Sequence, residues 1–330
     1  MQPARCTHCL EHRAQAAWAQ LSRQYGTLQC EQGVWLMLQL YGACVVPAGA
    51  FACELWGVWP LRGPNRKARD HLSTVYHGHL GMLSGIRRTV PTPVLLEELG
   101  QRPLADMWLV RAAGFWNTLM TGSAFHKAIA EDAVQLMPAS GSRGWVAGLS
   151  QALQAAGYAF QPQQLQEVDI GQLRGMLRDG RQRVWDGLDI CPRTAPSQGA
   201  RLCTYERWFR KPSWARACPL TLPLTHAAMQ RLLRFRTGCH GLPKDVGSQN
   251  GVPRHQRVCR LCGSGFGDEM HLVFECAALA DLRNDYPEVF QAHHTMQQFM
   301  WQPNLLQVAK FLDASMKRMQ AVGPDDGSNI

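Results

Sequence analysis

Eighteen residues toward the C-terminal end carry four potential metal ligands, Cys259, Cys262, His271 and Cys276, at Cys-x2-Cys-x8-His-x4-Cys spacing. Three thiolates and one imidazole are the donor set of a tetrahedral Zn²⁺, and cysteines two apart can grip one ion from a single tight turn. The constraint on folding is severe, because four side chains must converge on one point. The spacer Gly263-Ser264-Gly265-Phe266-Gly267 supplies three glycines, so the backbone can fold back and bring His271 to the same ion. Four protein ligands leave no open position for water, so one structural rather than catalytic ion is expected.

His271 and Cys276 are five residues apart, which on an unbroken α-helix would rotate their side chains apart by about 140°. They are therefore expected to straddle a helix end or a distorted turn. A helix should follow from about Ala277 through Leu282 and Arg283 toward Tyr286, stopped by Pro287. Chance spacing is the competing reading in a chain with twelve cysteines, but all four ligands occur in order within one short window. A second set, Cys6, His8, Cys9 and His12, resembles half a metal site and lacks a partner pair unless Cys30 contributes.

The 330 residues are enough for a substantial core and for two or three domains. Met1 to Leu10 carries Arg5, Cys6, His8 and Cys9 rather than an apolar run, so no secretory signal is expected there. The cysteines then read as reduced thiols of a nuclear or cytoplasmic protein. Val34 to Trp59 is the most apolar stretch, with Glu54 its one formal charge. Pro47 and Gly49 cut it into pieces too short to cross ~30 Å of hydrocarbon, and a buried helical hairpin is expected instead.

Helical periodicity dominates. Leu72, Val75, Tyr76, His79, Leu80, Leu83 and Ile86 recur at three- and four-residue steps, with Arg87 and Arg88 where a helix C-terminus favours cations. Thr92-Pro93 and Gly100 bracket a helix over Val94 to Leu99, and a longer one from Pro103 carries Leu104, Met107, Trp108, Phe115 and Trp116. Further helices are predicted at Ala124–Leu136, Arg143–Ala156 and Ile170–Leu188, then a linker at Cys191–Ala200. Thr225 is placed to cap a helix reaching Arg236 and ended by Gly238. The tail after Gly323 is polar and expected to fray. The fold class is thus mainly α, with a small metal module followed by C-terminal helices.

Charge is unevenly placed. Residues 201–260 hold twelve Lys/Arg against Glu206 and Asp245, a net +10, whereas residues 261–330 hold four basic and nine acidic residues, a net −5. Such a block marks a polyanion-binding face. Arg231, Arg234, Arg236, Lys244, Arg254, Arg257 and Arg260 would form that face if helix, loop and metal module pack together, and guanidinium groups bind phosphate bidentately. Trp208, Phe209 and Trp214 sit among cations and either stack on unpaired bases or fill a core.

Signals for catalysis are poor. Gly263, Gly265 and Gly267 make no dinucleotide fingerprint, there is no phosphate loop, and Ser150 is followed by Gln151 and Ala152 rather than by a nucleophile elbow. The adjacent acids Asp325-Asp326 lie in a Gly/Pro tail.

Taken together these residues resemble the post-palm portion of non-LTR (LINE-type) retrotransposon reverse transcriptases. Val45-Val46-Pro47 through Phe51 to Gly57 is similar to the thumb segment, and Leu95 to Gly100 with Pro103-Leu104, Trp108 and Phe115-Trp116-Asn117 to the linker helices. Leu233 to Gly238 leading to Cys259, Cys262, His271 and Cys276 is similar to the zinc knuckle module, and only this last motif is sharp. The resemblance implies a thumb-like segment at 1–62, a helical linker region at 63–190, a Pro/aromatic/basic connection at 191–224, a basic helix plus knuckle at 225–290, and C-terminal helices with a tail at 291–330. It also implies RNA or DNA as partner. No Tyr/Phe-x-Asp-Asp box occurs, so the carboxylates that hold two catalytic metal ions are missing and no enzyme activity is expected. A polymerase palm encoded upstream or separately would be a second partner, and a decayed element is an alternative origin. Two other functions compete: a helical scaffold docking protein through Trp108, Phe115 and Trp116, and a metal-dependent hydrolase using His77 and His79 or the N-terminal set.

Overall fold

A computed structural model of the protein describes residues 3–25, 31–58, 71–137, 144–187, 204–210, 219–291 and 295–322. The expected linker at 191–200, Cys30, Trp214 and Asp325-Asp326 lie outside them. The architecture is mainly α, and the pairings of strand type among the described residues are two isolated bridges, Glu31 with Thr225 and Val258 with Phe266. No helix among them is long and apolar enough to cross a membrane. By mutual contact the chain divides into two compact units assembled from interleaved stretches. One comprises Met1–Ser22, Tyr41–Tyr76 and Gln101–Leu188, the other Arg23–Leu40, His77–Gly100 and Asp189–Ile330.

The first unit is organised by the helix Leu104–Thr121. Its apolar residues recur at helical spacing, and the buried stripe Leu109, Ala112, Ala113, Trp116 and Leu119 packs with Val146, Leu149 and Leu153 of the helix Trp145–Ala155 and Leu173 of the helix Ile170–Asp186. Polar atoms inside are paired with backbone. Trp116 Nε1 donates to Gln166 O at 2.8 Å, and the Asn117 amide both donates to Val168 O and accepts from Val168 N, each at 2.7 Å. Asp169 caps the following helix by accepting from Gln172 N. The proposed docking seam is therefore internal: Trp108 and Trp116 are buried, and Phe115 is half-buried against Trp145.

The apolar stretch from Val34 does not form the expected hairpin. Gly33–Leu40 runs on as a π-turn, Tyr41–Val45, and a short helix, Val46–Gly49, before a further turn at Cys53–Trp56. Pro47 ends no element, because its missing N–H falls in the first turn of the short helix, where no partner is needed. Ala52, at the N-terminal end of the turn Cys53–Trp56, is left-handed with φ +54°.

The second unit is built on the helix His226–Arg236, N-capped by Thr225 as its sequence predicts and followed by Gly238 at φ +68°. The C-terminal helix Leu305–Val322 packs along it, joined by an ion pair between Arg231 and Asp313. The expected helix around Leu80 is present as His71–Ser84, but it stops at Gly85, φ +70°, so Arg87 and Arg88 lie beyond it. Arg234 Nε donates to Gly85 O at 2.9 Å, and a Cβ on Gly85 would sit 2.8 Å from that nitrogen. Phe274, Phe290, Phe299 and Phe311 interlock edge to face beside this helix pair, with ring centroids 5.0 to 6.2 Å apart.

At the end of the basic helix, Arg236 is 1% exposed. Its guanidinium donates from Nε to Glu98 Oε2 at 2.7 Å and from an Nη to Glu98 Oε1 at 2.9 Å and Phe209 O at 3.0 Å, while it covers the Trp301 ring at 4.4 Å. Tyr205 OH donates to the same carboxylate at 2.7 Å. Arg236→Met is expected to cost about 3–5 kcal/mol in urea unfolding, because Glu98 would be left charged and buried. Glu98→Leu combined with Arg236→Met should recover most of that loss.

Candidate metal centre and adjoining basic surface

Cys259, Cys262, His271 and Cys276 each offer one ligand atom, and all four atoms lie within 4.8 Å of one another. The group could hold one metal ion. Cys259 Sγ and Cys276 Sγ are 3.7 Å apart, and Cys262 Sγ is 3.3 Å from His271 Nε2. Cys259, His271 and Cys276 are buried, while Cys262 is half-exposed.

Two local structures bring the ligands together. The first is a tight reversal over Arg257 to Gly267, in which Gly267 N donates to Arg257 O, Cys259 N to Gly265 O and Gly263 N to Cys259 O, each at 2.9 to 3.0 Å. Gly263 and Gly265 have φ of +66° and +75°, a region that L side chains avoid. Gly265 is needed for space as well, since a Cβ there would lie 2.7 Å from His271 Nδ1. The second is the segment His271–Glu275, which is a π-turn closed by Cys276 N donating to His271 O at 2.8 Å. The wider i→i+5 turn resolves the 140° problem of α-helical spacing, because it brings residues five apart to one side of the chain. The chain then leaves by a 3₁₀ turn, Ala277–Leu279, a short helix Ala280–Asn284, and a new turn that Pro287 begins rather than ends.

The surroundings fix the ring. His271 N donates to Asp268 Oδ1 at 2.9 Å, and His271 Nδ1 lies 3.5 Å from Glu275 Oε2, which leaves Nε2 facing the sulfurs. Beneath the reversal, Glu269 receives His240 Nε2 at 3.0 Å and Lys244 Nζ at 2.9 Å. Burial opposes ionisation of Glu269, but those two partners hold its carboxyl down at about 2. The sulfurs differ: burial, with Cys259 alongside, pushes the Cys276 thiol up to about 12. Burial also raises Cys262, but hydrogen bonds from Ser264, His271 and Cys259 outweigh it and draw that thiol down to about 6. A divalent cation would suit such crowded sulfurs, because it deprotonates its thiol ligands and offsets their mutual repulsion.

The seven cations drawn from sequence do not share one face. Arg236 is a core residue, and Arg231 and Arg234 are engaged by Asp313 and Gly85 O. The reason is packing: the helix that carries them is covered on more than one side, so its arginines must find partners within the protein. Arg254 is exposed and lies over the Phe266 ring, and Arg260 is half-exposed. Arg257 is half-buried and donates from Nε to Val252 O. Lys244 remains partly exposed between Glu269 and Trp208, whose half-buried ring also has Arg207 5.5 Å from its centroid. Phe209 is in the core. Arg207 was missed by sequence reasoning, although its place beside a tryptophan was visible.

Among the described residues, His77 and His79 are not assembled with carboxylates into a group of three or more that could hold a metal ion. Burial lowers both His77 and His79, the latter to about 4, so neither carries charge at neutral pH. Comparison with family models, with curated proteins and with solved structures finds no match to this chain.

Gly265→Ala is expected to weaken metal affinity by about tenfold or more, because the added methyl displaces the His271 ring from its place. Competition against a chromophoric chelator reads that change directly, and an unchanged affinity would show that the glycine turn does not set the ring position.

Proposed function

We propose that the chain is a zinc-containing nucleic-acid-binding protein that does not catalyse by itself, akin to the thumb-to-knuckle part of a non-LTR retrotransposon reverse transcriptase. The observation that carries this reading is the cationic edge beside the Cys/His group, where Arg254 is exposed and Arg260 half-exposed. Arg254, Arg257 and Arg260 sit on or beside the same reversal that holds Cys259 and Cys262, and Lys244, Trp208 and Arg207 adjoin it through the Lys244 N to Gly267 O hydrogen bond. An ion at the four ligands would lock that reversal and so fix where the guanidinium groups point. Zinc is favoured over harder cations because three thiolates and an imidazole suit it, and a closed four-ligand set makes it structural.

The polymer is engaged by phosphate contacts from the arginines, and Trp208, set between two cations, offers a partly exposed ring on which an unpaired base can stack. The core arginines take no part. A palm encoded elsewhere would complete a polymerase to which this chain contributes grip, in a nuclear or cytoplasmic setting.

Binding to single- and double-stranded RNA and DNA at low and moderate salt tests the proposal. Arg254→Ala with Arg260→Ala should lower affinity and flatten the slope of log K against log salt by about 0.7 to 0.9 for each phosphate left without its cation, with the metal retained. Cys262→Ser should release the metal and weaken binding together. Binding that is weak and insensitive to salt, or unaffected by both changes, would rule the reading out.

A further inference from the structure

The N-terminal helix carries a pair of histidines that the four-ligand group does not use. His8 and His12 lie within the helix Pro3–Tyr25, one turn apart, and both side chains are exposed. Their imidazole centroids are 4.5 Å apart at an interplanar angle of 70°. Residues at i and i+4 are neighbours on one helical face, and two imidazoles so placed can reach one borderline divalent ion together after a rotamer change. Glu11, one residue before His12, is half-buried and accepts a hydrogen bond from Gln15 at 3.3 Å. Ala14 and Leu10 bury the opposite side of the helix, so the face bearing the imidazoles is held outward.

We infer that His8 and His12 form a second, solvent-facing site for a divalent transition-metal ion, with water completing the coordination. Imidazole ligands suit Ni²⁺, Cu²⁺ and Zn²⁺ and disfavour Mg²⁺ and Ca²⁺, which take oxygen. The site differs in kind from the four-ligand group. That one is closed and rich in sulfur, whereas this one is open, nitrogen-based and exchangeable. The order His8-x2-Glu11-His12 is also that in which some zinc hydrolases set two ligands and a base on a helix. Catalysis is not inferred, since an ion held on an exposed helical face gives a substrate no enclosing walls.

Calorimetric titration with Ni²⁺ of the full-length protein loaded with a single equivalent of zinc, which the three thiolates hold in preference to two imidazoles, tests the inference with the sulfur site kept out of the measurement. One Ni²⁺ equivalent is expected to bind, and His8→Ala or His12→Ala should each weaken it by about tenfold or more, since either removes the chelate. His12→Ala combined with Arg13→His keeps the number of imidazoles but turns the second about 100° around the helix, and it should lose affinity to the same degree. Cys9→Ser should leave binding unchanged. Ni²⁺ affinity equal in the wild type and all the histidine variants, or retained when the second imidazole is moved to position 13, would overturn the site.

Discussion

Arg236 holds the second unit together from inside. Its guanidinium, Glu98, Tyr205, the Phe209 carbonyl and the Trp301 ring come from four separate stretches of chain, and each satisfies a group that would otherwise be stranded in the core. A buried ion pair gives little net stability against a well-packed apolar alternative, because both charges must be stripped of water. What it imposes is position: a planar fork with a fixed set of acceptors accepts only one arrangement of its neighbours. The helix His226–Arg236 is thereby set, and with it the loop that leads from Gly238 to the metal module.

The metal module depends on backbone conformations that ordinary side chains resist. Two left-handed glycines turn the first pair of cysteines back on themselves, and a π-turn swings the second pair of ligands to meet them. Neither device is stable on its own account. A π-turn is rarer than the α-helix it interrupts, and such turns are frequent at functional sites. The Glu269 carboxylate, two residues before His271, is gripped by His240 and Lys244 and so ties this segment to the chain that follows the basic helix.

Charge is divided between structure and surface more sharply than its density along the chain implies. Of the arginines between 231 and 260, those on the helix are engaged by internal acceptors, while Arg254, just before the reversal, is exposed. A helix packed on several sides has no solvent-facing stripe wide enough for three long cations, whereas a small reversal has mostly surface. Cation count alone therefore overstates the area available to a polyanion.

Much of the local structure was legible in the chain. Period and caps located the helices at Leu104–Thr121, Ala124–Gln135, Trp145–Ala155, Ile170–Asp186 and His226–Arg236 to within a few residues, because these signals act between near neighbours. The clustering of Cys259, Cys262, His271 and Cys276 was readable for the same reason, and the five-residue step from His271 to Cys276 already required a distorted turn. Only the tertiary structure decided that Arg236 is a core residue, that Trp108 and Trp116 are sealed inside, that Pro287 opens a turn, and that the apolar stretch from Val34 is not a hairpin. Each of those outcomes depends on what lies opposite in space, such as Glu98 lying 138 residues before Arg236, and no pattern among neighbouring residues records that.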